Sequence, residues 1–234
     1  MTPATDTRRV VFLLDVDNTL LDNDRIVADL KQILTRAVGA TRQQRYWTIF
    51  EAVRAEFGYA DYLGTLQRYR AEDPRDPNLL AISSFLLNYP FAERLFPGAL
   101  GVVGRLNTVG QAVILTDGDV VFQPLKIERS GLFNAVGGRI LLYVHKEQEL
   151  DDVARRYPAD HYVLVDDKVR ILTAVKASWG SRVTTVFPRQ GHYAHDASVA
   201  TLPRPDITIE RIGDMMDTDL REFATTGGDA DREG

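Results

Sequence analysis

Short apolar segments that end in polar residues recur along the chain and set its predicted strands. The first is the run VVFLL at 10–14, and Asp15 follows it directly. An unbroken run of β-branched and aliphatic residues of this length is typical of a strand that is buried on both faces. The pattern predicts six strands, at residues 9–15, 111–116, 139–144, 161–165, 182–187 and 206–210.

Segments with apolar residues at helical spacing precede the second strand and separate the second to the fifth strands. They lie at residues 101–107, 122–130, 147–157 and 169–179. Strands that alternate with helices favour parallel pairing with right-handed crossovers. We therefore expect an α/β fold with a doubly wound, mainly parallel, Rossmann-like sheet.

The region between the first and second strands has a different character. Residues 22–94 carry helical periodicity, clearest at 26–34 and 46–53, and a turn cluster at 73–78 separates two helices. This block is predicted to be an α-helical insertion into a core formed by residues 9–21 and 95–212. Residues 1–8 and 224–234 are polar and are predicted to be flexible.

Composition excludes several classes of function. The chain has 234 residues, 44% of them hydrophobic and 26% charged, with a formal net charge of -5 and no cysteine. A disulfide, a thiol nucleophile and a thiolate metal site are thus excluded. The charge gives no basic footprint for nucleic acid, and the sequence has no apolar run of membrane-spanning length. We expect a cytoplasmic protein that binds neither nucleic acid nor membrane.

Polar residues stand where four of the predicted strands end. They are Asp15 and Asp17 after the first strand, Thr116 at the end of the second, Lys146 after the third, and Asp166 with Asp167 after the fourth. The carboxyl ends of parallel strands meet at one edge of a sheet, where such folds place their ligand sites. Placing several carboxylates there costs stability unless a cation or shared proton compensates, which marks the group as a candidate site.

The chain resembles the haloacid dehalogenase (HAD) superfamily, in its phosphatase branch with a small α-helical cap. The resemblance spans about residues 9–188 and rests on the pattern DxDxT at 15–19 and on the order of the four strand-end motifs. The helical block at 22–94 lies where that family carries its cap, and 95–98 (LFPG) is similar to the family's return to the core.

The resemblance implies a catalytic role for four residues. Asp15 would be the nucleophile that forms an aspartyl-phosphate, and Asp17 would be the general acid and then the general base. Thr116 would hydrogen-bond the phosphoryl oxygens, and Lys146 would neutralise charge on Asp15 and the phosphate. The implied activity is hydrolysis of a small phosphate monoester, with a small phosphorylated metabolite as the partner.

The resemblance also implies a Mg²⁺ cofactor. Asp15, Asp167, the backbone carbonyl of Asp17 and Asp166 (as a second ligand or a support) would hold it. Independently of the family, Mg²⁺ prefers oxygen ligands and usually binds through one or two carboxylates together with substrate phosphate. The three carboxylates of Asp15, Asp166 and Asp167 would balance Mg²⁺ and Lys146, so the site could accept a phosphate dianion.

Some features leave alternatives open. Ile171 and Leu172 stand where many family members have a further acid, and Lys126 competes with Lys146 for the role of the lysine. A phosphomutase, a haloacid dehalogenase and a non-catalytic phosphate-binding or receiver-like domain are the rival functions. Asp17 disfavours the dehalogenase, because that branch lacks an acid two residues after its nucleophile. The substrate and the oligomeric state stay open.

Two further groups of residues are explained without a functional role. His192 and His195 form an HxxH pattern with no further ligand nearby, which disfavours a zinc site. Arginines of the insertion are typical of solvated helix faces, although one or two of them could hold an anionic substrate: Arg42, Arg45, Arg54, Arg68 and Arg70.

Overall fold

A six-stranded parallel sheet forms the centre of the protein. The computed structural model describes residues 9–220 and residue 223, so the predicted flexible segments 1–8 and 224–234 lie outside the described residues. The strands are β1 (Val10–Leu14), β2 (Gln111–Asp117), β3 (Ile140–Tyr143), β4 (His161–Val165), β5 (Val183–Pro188) and β6 (Ile207–Ile209). Their order in the sheet is β3-β2-β1-β4-β5-β6, and every neighbouring pair is parallel.

Helices cover both faces of this sheet and fill the long connection after β1. They are α1 (Asn23–Phe57), α2 (Tyr62–Glu72), α3 (Leu79–Asn88), α4 (Ala99–Val109), α5 (Phe122–Arg129), α6 (Leu132–Ala135), α7 (Leu150–Arg156) and α8 (Val169–Trp179). Short 3₁₀ turns stand at Phe91–Arg94, Lys146–Gln148, Gly180–Arg182, His192–His195, Ala197–Ala200 and Ile212–Met216. Within the described part of the chain, no helix combines the length and the apolar content that a membrane span needs.

The central strand is buried on both faces, as its unbroken apolar run predicts. Successive side chains of a strand point to opposite faces. Phe12 and Leu14 accordingly pack into the core under α4 and the α1–α3 block, whereas Val11 and Leu13 pack into the core under α7 and α8. The prediction of a doubly wound α/β sheet is therefore confirmed.

Three helices, α1 to α3, form the connection from β1 to α4, and we call them the helical insertion. Helix α1 is interrupted at Gly39, whose φ of 79° is a left-handed conformation that glycine adopts without steric cost. The three helices pack on one another around buried Tyr46 and Tyr69, and the Tyr46 hydroxyl donates to the Tyr62 carbonyl at 3.0 Å.

The sequence pattern was wrong in some local details. The turn cluster predicted at 73–78 does separate two helices, α2 and α3, but the break at Gly58 between α1 and α2 was not predicted. The helix predicted from residue 147 begins at Leu150, after a 3₁₀ turn, and the short helix α6 was not predicted. These differences are at element ends, where capping geometry rather than hydrophobic period decides the boundary.

Candidate active site

The segment that follows β1 carries the first two acids of the predicted site. The Asp15 amide donates to the Val165 carbonyl at 3.0 Å, which ties the segment to the end of β4. The Thr19 hydroxyl donates to Asp15 Oδ2 at 3.2 Å and accepts from the Asp167 amide at 3.1 Å. Thr19 thereby holds the nucleophile candidate against the acids that follow β4.

Lys146 occupies the centre of the site and is fully buried. Its Nζ donates to Asp15 Oδ1 and to the Leu115 carbonyl, the latter at 3.2 Å, and it pairs with Asp166 Oδ2 at 2.6 Å. Burial alone would lower the pKa of Lys146, but the charges of Asp15 and Asp166 outweigh it and raise the pKa. The lysine therefore stays charged beside the nucleophile candidate.

The two acids after β4 are fully buried, and they differ in their partners. Asp166 accepts from the Lys168 amide at 2.8 Å and pairs with Lys146, whereas neither carboxylate oxygen of Asp167 has a hydrogen-bond partner among the described residues. Burial and the negative charges of Asp15 and Asp166 raise the pKa of Asp167 to about 9. Burial, followed by the charge of Asp15, also raises the pKa of Asp166 against the opposing effect of Lys146.

These contacts define what we call the acid–lysine cluster: Asp15, Lys146, Asp166 and Asp167. One carboxylate oxygen from each of the three acids lies within 4.8 Å of the others. A buried carboxylate without a partner is costly, and an oxygen-preferring cation placed among the three acids would relieve that cost. The acids of the cluster thus have the donor chemistry of a divalent-cation site.

Asp17 pairs with a lysine outside this cluster. Its Oδ1 pairs with Lys126 Nζ at 2.6 Å, and Lys126 also donates to Asn23 Oδ1 at 3.1 Å. The Asp17 side chain is 28% exposed, whereas that of Lys126 is only 1% exposed. Both lysines that competed in the sequence therefore lie at this edge of the sheet, one beside each acid of the DxD pattern.

Thr116 lies at the end of β2 with its hydroxyl engaged by neighbours. It accepts from Gln123 Nε2 at 2.9 Å and contacts the Asp117 carbonyl at 3.4 Å. Asp117 accepts from the Lys146 amide at 2.8 Å, and burial raises its pKa to about 6. Binding of phosphoryl oxygens by Thr116, which the sequence suggests, stays a prediction that would need this hydroxyl to turn.

A cavity of about 580 Å³ lies between the helical insertion and this edge of the sheet. Its wall on the insertion side includes the aromatic residues Trp47, Phe50 and Tyr62. Phe50 and Tyr62 stack with ring centroids 5.0 Å apart, and the Trp47 indole N–H has no hydrogen-bond partner among the described residues. Asp17 and Lys126 line the opposite wall, so the cavity reaches the catalytic edge.

The loop after β5 forms hydrogen bonds that hold the segment after β1 in place. Gln190 Nε2 donates to the carbonyls of Asn18 and Thr19 at 3.2 and 2.9 Å. His192 donates its amide to Asp24 Oδ2 at 2.7 Å, and its ring Nδ1 lies 2.6 Å from Asp24 Oδ1. A Cβ on Gly191, whose φ is 68°, would lie 2.5 Å from the Asn18 Cβ. The sequence alone assigned no role to this loop, although Gly191 could have indicated a position where the backbone comes close to another segment.

Comparison with known proteins agrees with this geometry. The structure is similar to the crystal structure of a haloacid dehalogenase-like hydrolase from Burkholderia xenovorans LB400, with 58% sequence identity and a TM-score of 0.87. The match covers 93% of this chain and 99% of that one. The chain belongs to the haloacid dehalogenase-like hydrolases. No protein-family model and no curated protein matches it.

More distant structures share the fold of this HAD-like hydrolase. A HAD hydrolase from Bacillus subtilis bound to magnesium has 16% identity and a TM-score of 0.59, over 90% of this chain and 98% of that one. An L-2-haloacid dehalogenase from Xanthobacter autotrophicus, with chloropropionic acid covalently bound, has 15% identity and a TM-score of 0.55. That match covers 89% of this chain and 96% of the dehalogenase. At these identities the likeness concerns the fold alone.

In this HAD-like hydrolase, every residue that the sequence nominated lies at one edge of the sheet. Asp15, Lys146, Asp166 and Asp167 are in contact, and Asp17 and Thr116 lie beside them. The structure adds two groups that the sequence analysis did not nominate. They are Asp117, bonded to the Lys146 amide, and Lys168, whose raised pKa reflects the charges of Asp15, Asp166 and Asp167 against its burial.

Proposed function

We propose that this HAD-like hydrolase is a Mg²⁺-dependent phosphatase that hydrolyses a small phosphate monoester through an aspartyl-phosphate on Asp15. The observation that supports this most strongly is the acid–lysine cluster, with a buried nucleophile candidate and an unpartnered Asp167 carboxylate. Phosphoryl transfer needs mainly positioning and charge stabilisation, and a cluster of this kind supplies both.

The three acids of the cluster fit a divalent cation. Asp167 brings two buried oxygens without a partner, and Asp15 and Asp166 each bring an oxygen within 4.8 Å of the others. The similar fold from Bacillus subtilis that binds magnesium agrees with this assignment. A bound Mg²⁺ would neutralise acid charge and stabilise charge on the phosphoryl oxygens.

Asp15 is held in place for attack on phosphorus. Thr19 donates to its Oδ2 and Lys146 to its Oδ1, so neither oxygen can rotate freely. The attack would form an acyl-phosphate bond on Asp15 as the bond from phosphorus to the leaving oxygen breaks. Lys146, charged throughout, would offset the negative charge that gathers between Asp15 and the phosphate.

Asp17 is placed on the cavity wall for proton transfer. Its carboxyl is partly exposed and lines the cavity, so it is accessible to a leaving oxygen that enters from there. As general acid it would give its proton to the leaving oxygen, and as general base it would then take a proton from the attacking water. Lys126 at 2.6 Å orients this carboxyl.

The cavity sets the size of the partner. A volume of about 580 Å³, closed on one side by α1, suits a small phosphorylated metabolite rather than a macromolecule. Contacts at both ends of α1 hold it over the site: His192 binds Asp24 in its first turn, and the Arg54 guanidinium in its last turn donates to the Tyr193 hydroxyl at 3.0 Å. Such closure excludes bulk water from the transferring phosphoryl group.

The test is turnover of a panel of phosphorylated metabolites, with Mg²⁺ or with EDTA, by wild type and Asp15→Asn. We expect phosphate release that requires Mg²⁺ and disappears in Asp15→Asn. Halide release from 2-haloacids without added metal would instead assign the dehalogenase reaction. Conversion of a sugar phosphate to its positional isomer without phosphate release would assign the mutase.

A further inference from the structure

Basic side chains surround the cavity, and three of them have a close acidic partner. Lys126 pairs with Asp17, Arg170 with Glu147 at 3.0 Å, and His192 with Asp24. A cation that is already paired with a carboxylate contributes little further attraction to a ligand anion. The paired groups therefore do not distinguish one substrate from another by charge.

Lys168 and Arg54 differ from these groups. In the part of the chain that the structure describes, Lys168 has no carboxylate within ion-pair distance, and its Nζ lies 5.3 Å from the centre of the Tyr193 ring. Among the described residues, the carboxylate within ion-pair distance of Arg54 is that of Glu51, at 4.0 Å, and it is 66% exposed and therefore well screened by water. Both cations line the cavity.

Tyr193 connects the two cations across the boundary between insertion and core. Its hydroxyl accepts from Arg54 at 3.0 Å, and its ring lies against the Lys168 ammonium. Arg54 belongs to the last turn of α1, whereas Lys168 directly follows the two acids at the end of β4. One side chain thus brings together a cation from each wall of the cavity.

We propose that Arg54 and Lys168 bind a second anionic group of the substrate, a carboxylate or a second phosphoryl group, at a distance from the phosphoryl group that is transferred. The inference rests on the proposed phosphatase function and narrows its substrate class. Arg54 keeps guanidinium donors beyond the one given to Tyr193, and guanidinium binds carboxylate and phosphate in a bidentate manner. An anion between the two cations would also hold α1 closed over the site.

The requirement for an anion follows from the charges. Without a ligand, Lys168 is partly buried, and the acids Asp15, Asp166 and Asp167, together with Asp117, compensate its charge. A divalent cation that binds Asp15, Asp166 and Asp167 would cancel their share of this compensation. The loaded enzyme would then present two poorly compensated cations to the cavity, and a substrate anion would be their partner.

The test uses three aryl phosphates that differ in one substituent: phenyl phosphate, 4-carboxyphenyl phosphate and 4-phosphonophenyl phosphate. We expect wild type with Mg²⁺ to hydrolyse one of the charged esters with a kcat/KM about 10-fold or more above that of phenyl phosphate. The preferred substituent then tells carboxylate from phosphoryl recognition. Equal kcat/KM values for all three esters would overturn the proposal.

Substitutions of Arg54 and Lys168 test whether these two residues cause the preference for a charged ester. In Arg54→Met and in Lys168→Met the ratio of kcat/KM for the charged over the neutral ester should fall about 10-fold, mainly through KM for the charged ester. Lys31→Met is the matched control, because Lys31 also lines the cavity but lies over Trp47, 5.2 Å from the ring centre. An equal fall of the ratio in Lys31→Met would assign the preference to general attraction and contradict a site at Arg54 and Lys168.

A binding measurement separates this inference from the proposed function. Calorimetry with benzylphosphonate and 4-carboxybenzylphosphonate, neither of which can be hydrolysed, measures recognition without turnover. Tighter binding of the carboxylated compound, lost in Arg54→Met, with no ester hydrolysed, would overturn the phosphatase but support the anion site. Hydrolysis of phenyl phosphate without any preference for charged compounds, in binding or in turnover, would support the phosphatase but overturn the anion site.

Discussion

The acid–lysine cluster and the wall of the cavity on the helical insertion are built in opposite ways. The cluster groups Asp15, Lys146, Asp166 and Asp167 are each no more than 2% exposed, and strand ends and backbone contacts fix them. The opposite wall combines aromatic rings with polar side chains, among them Arg54, which is 47% exposed on a helix end. The cluster is suited to chemistry, and the wall of the insertion is suited to selection of the substrate.

This difference has an energetic origin. Burial without water strengthens the interactions among the cluster charges, but it leaves Asp167 without a partner. The wall of the insertion carries a smaller cost of this kind, because its unpartnered group, the Trp47 indole N–H, is uncharged and the other contacts are mainly ring packing and screened charges. We therefore expect substitutions in the cluster to change kcat and pH behaviour, and substitutions in the wall to change KM.

The largest expected effect follows removal of the nucleophile. Asp15→Asn keeps the size of the side chain but removes the charge that attacks phosphorus, so kcat should fall about 10³-fold or more. Steady-state kinetics with Mg²⁺ measures the fall, and circular dichroism checks that the fold persists. Activity within about 10-fold of wild type would break the assignment of chemistry to the cluster.

The cluster should also make the stability of the metal-free protein depend on pH. The pKa of Asp167 is about 9 in the folded protein, far above that of an unfolded aspartate, so the folded state holds the extra proton between these values. Stability is therefore highest at the acidic end of this window and falls as pH rises through it, by up to about 1.4 kcal/mol per pH unit. Asp117, with a pKa of about 6, acts in the same direction below pH 6.

Thermal unfolding with EDTA between pH 6 and 8.5 measures this dependence. A loss of 1 kcal/mol should lower Tm by about 2–4 °C in a chain of this size. Asp167→Asn removes the titrating group and should flatten the curve, and Mg²⁺ should flatten it in wild type because the cation replaces the proton. A Tm that is independent of pH in metal-free wild type would show that Asp167 is not buried as described.

The loop after β5 supports the cluster from outside, and Gly191 tests this support. Gly191→Ala would place a Cβ 2.5 Å from the Asn18 Cβ at a φ of 68°, so the segment of Asp15 to Thr19 must shift. We expect a loss of about 1–3 kcal/mol in the free energy of unfolding and a lower kcat. Gly131→Ala is the control, because its φ is 87° but nothing lies within 4 Å of the new Cβ. Equal effects of both changes on kcat would contradict a positioning role for this loop.

The smallest effect is expected on the wall of the insertion. Phe50→Leu removes the ring that stacks on Tyr62, and KM should rise about 3- to 10-fold while kcat changes by less than about 2-fold. Trp47→Phe removes the unpartnered indole N–H and should raise KM only for substrates that offer an acceptor there. A large loss of kcat in either variant would contradict the assignment of chemistry to the acid–lysine cluster and of substrate selection to the wall of the insertion.

The strands and their terminal acids were predictable from sequence, because buried strands in a parallel sheet are long apolar runs with abrupt ends. Asp15, Asp166 and Asp167 stand directly after such runs, and the parallel order brings them together without further information. Lys146 follows the same rule after β3. The α/β fold and the position of the helical insertion follow from the same signals.

Other parts of the site depend on packing that no local pattern specifies. Lys126 resembles a solvated helix lysine, although Phe122 one turn earlier places it on the inner face of α5. Lys168 and Gln190 acquire their contacts from loops distant in sequence. The pairing of Asp17 with Lys126 depends on how α5 packs against the segment after β1.

The most direct test of the account is a rapid-quench experiment with a ³²P-labelled ester that the enzyme hydrolyses in the presence of Mg²⁺. If an aspartyl-phosphate forms, we expect a transient, acid-stable label on the protein that peptide mapping locates on Asp15 and that is absent from Asp15→Asn. Phosphate release at the full rate without any protein-bound label, or with the label on another residue, would contradict the central claim that Asp15 carries the chemistry.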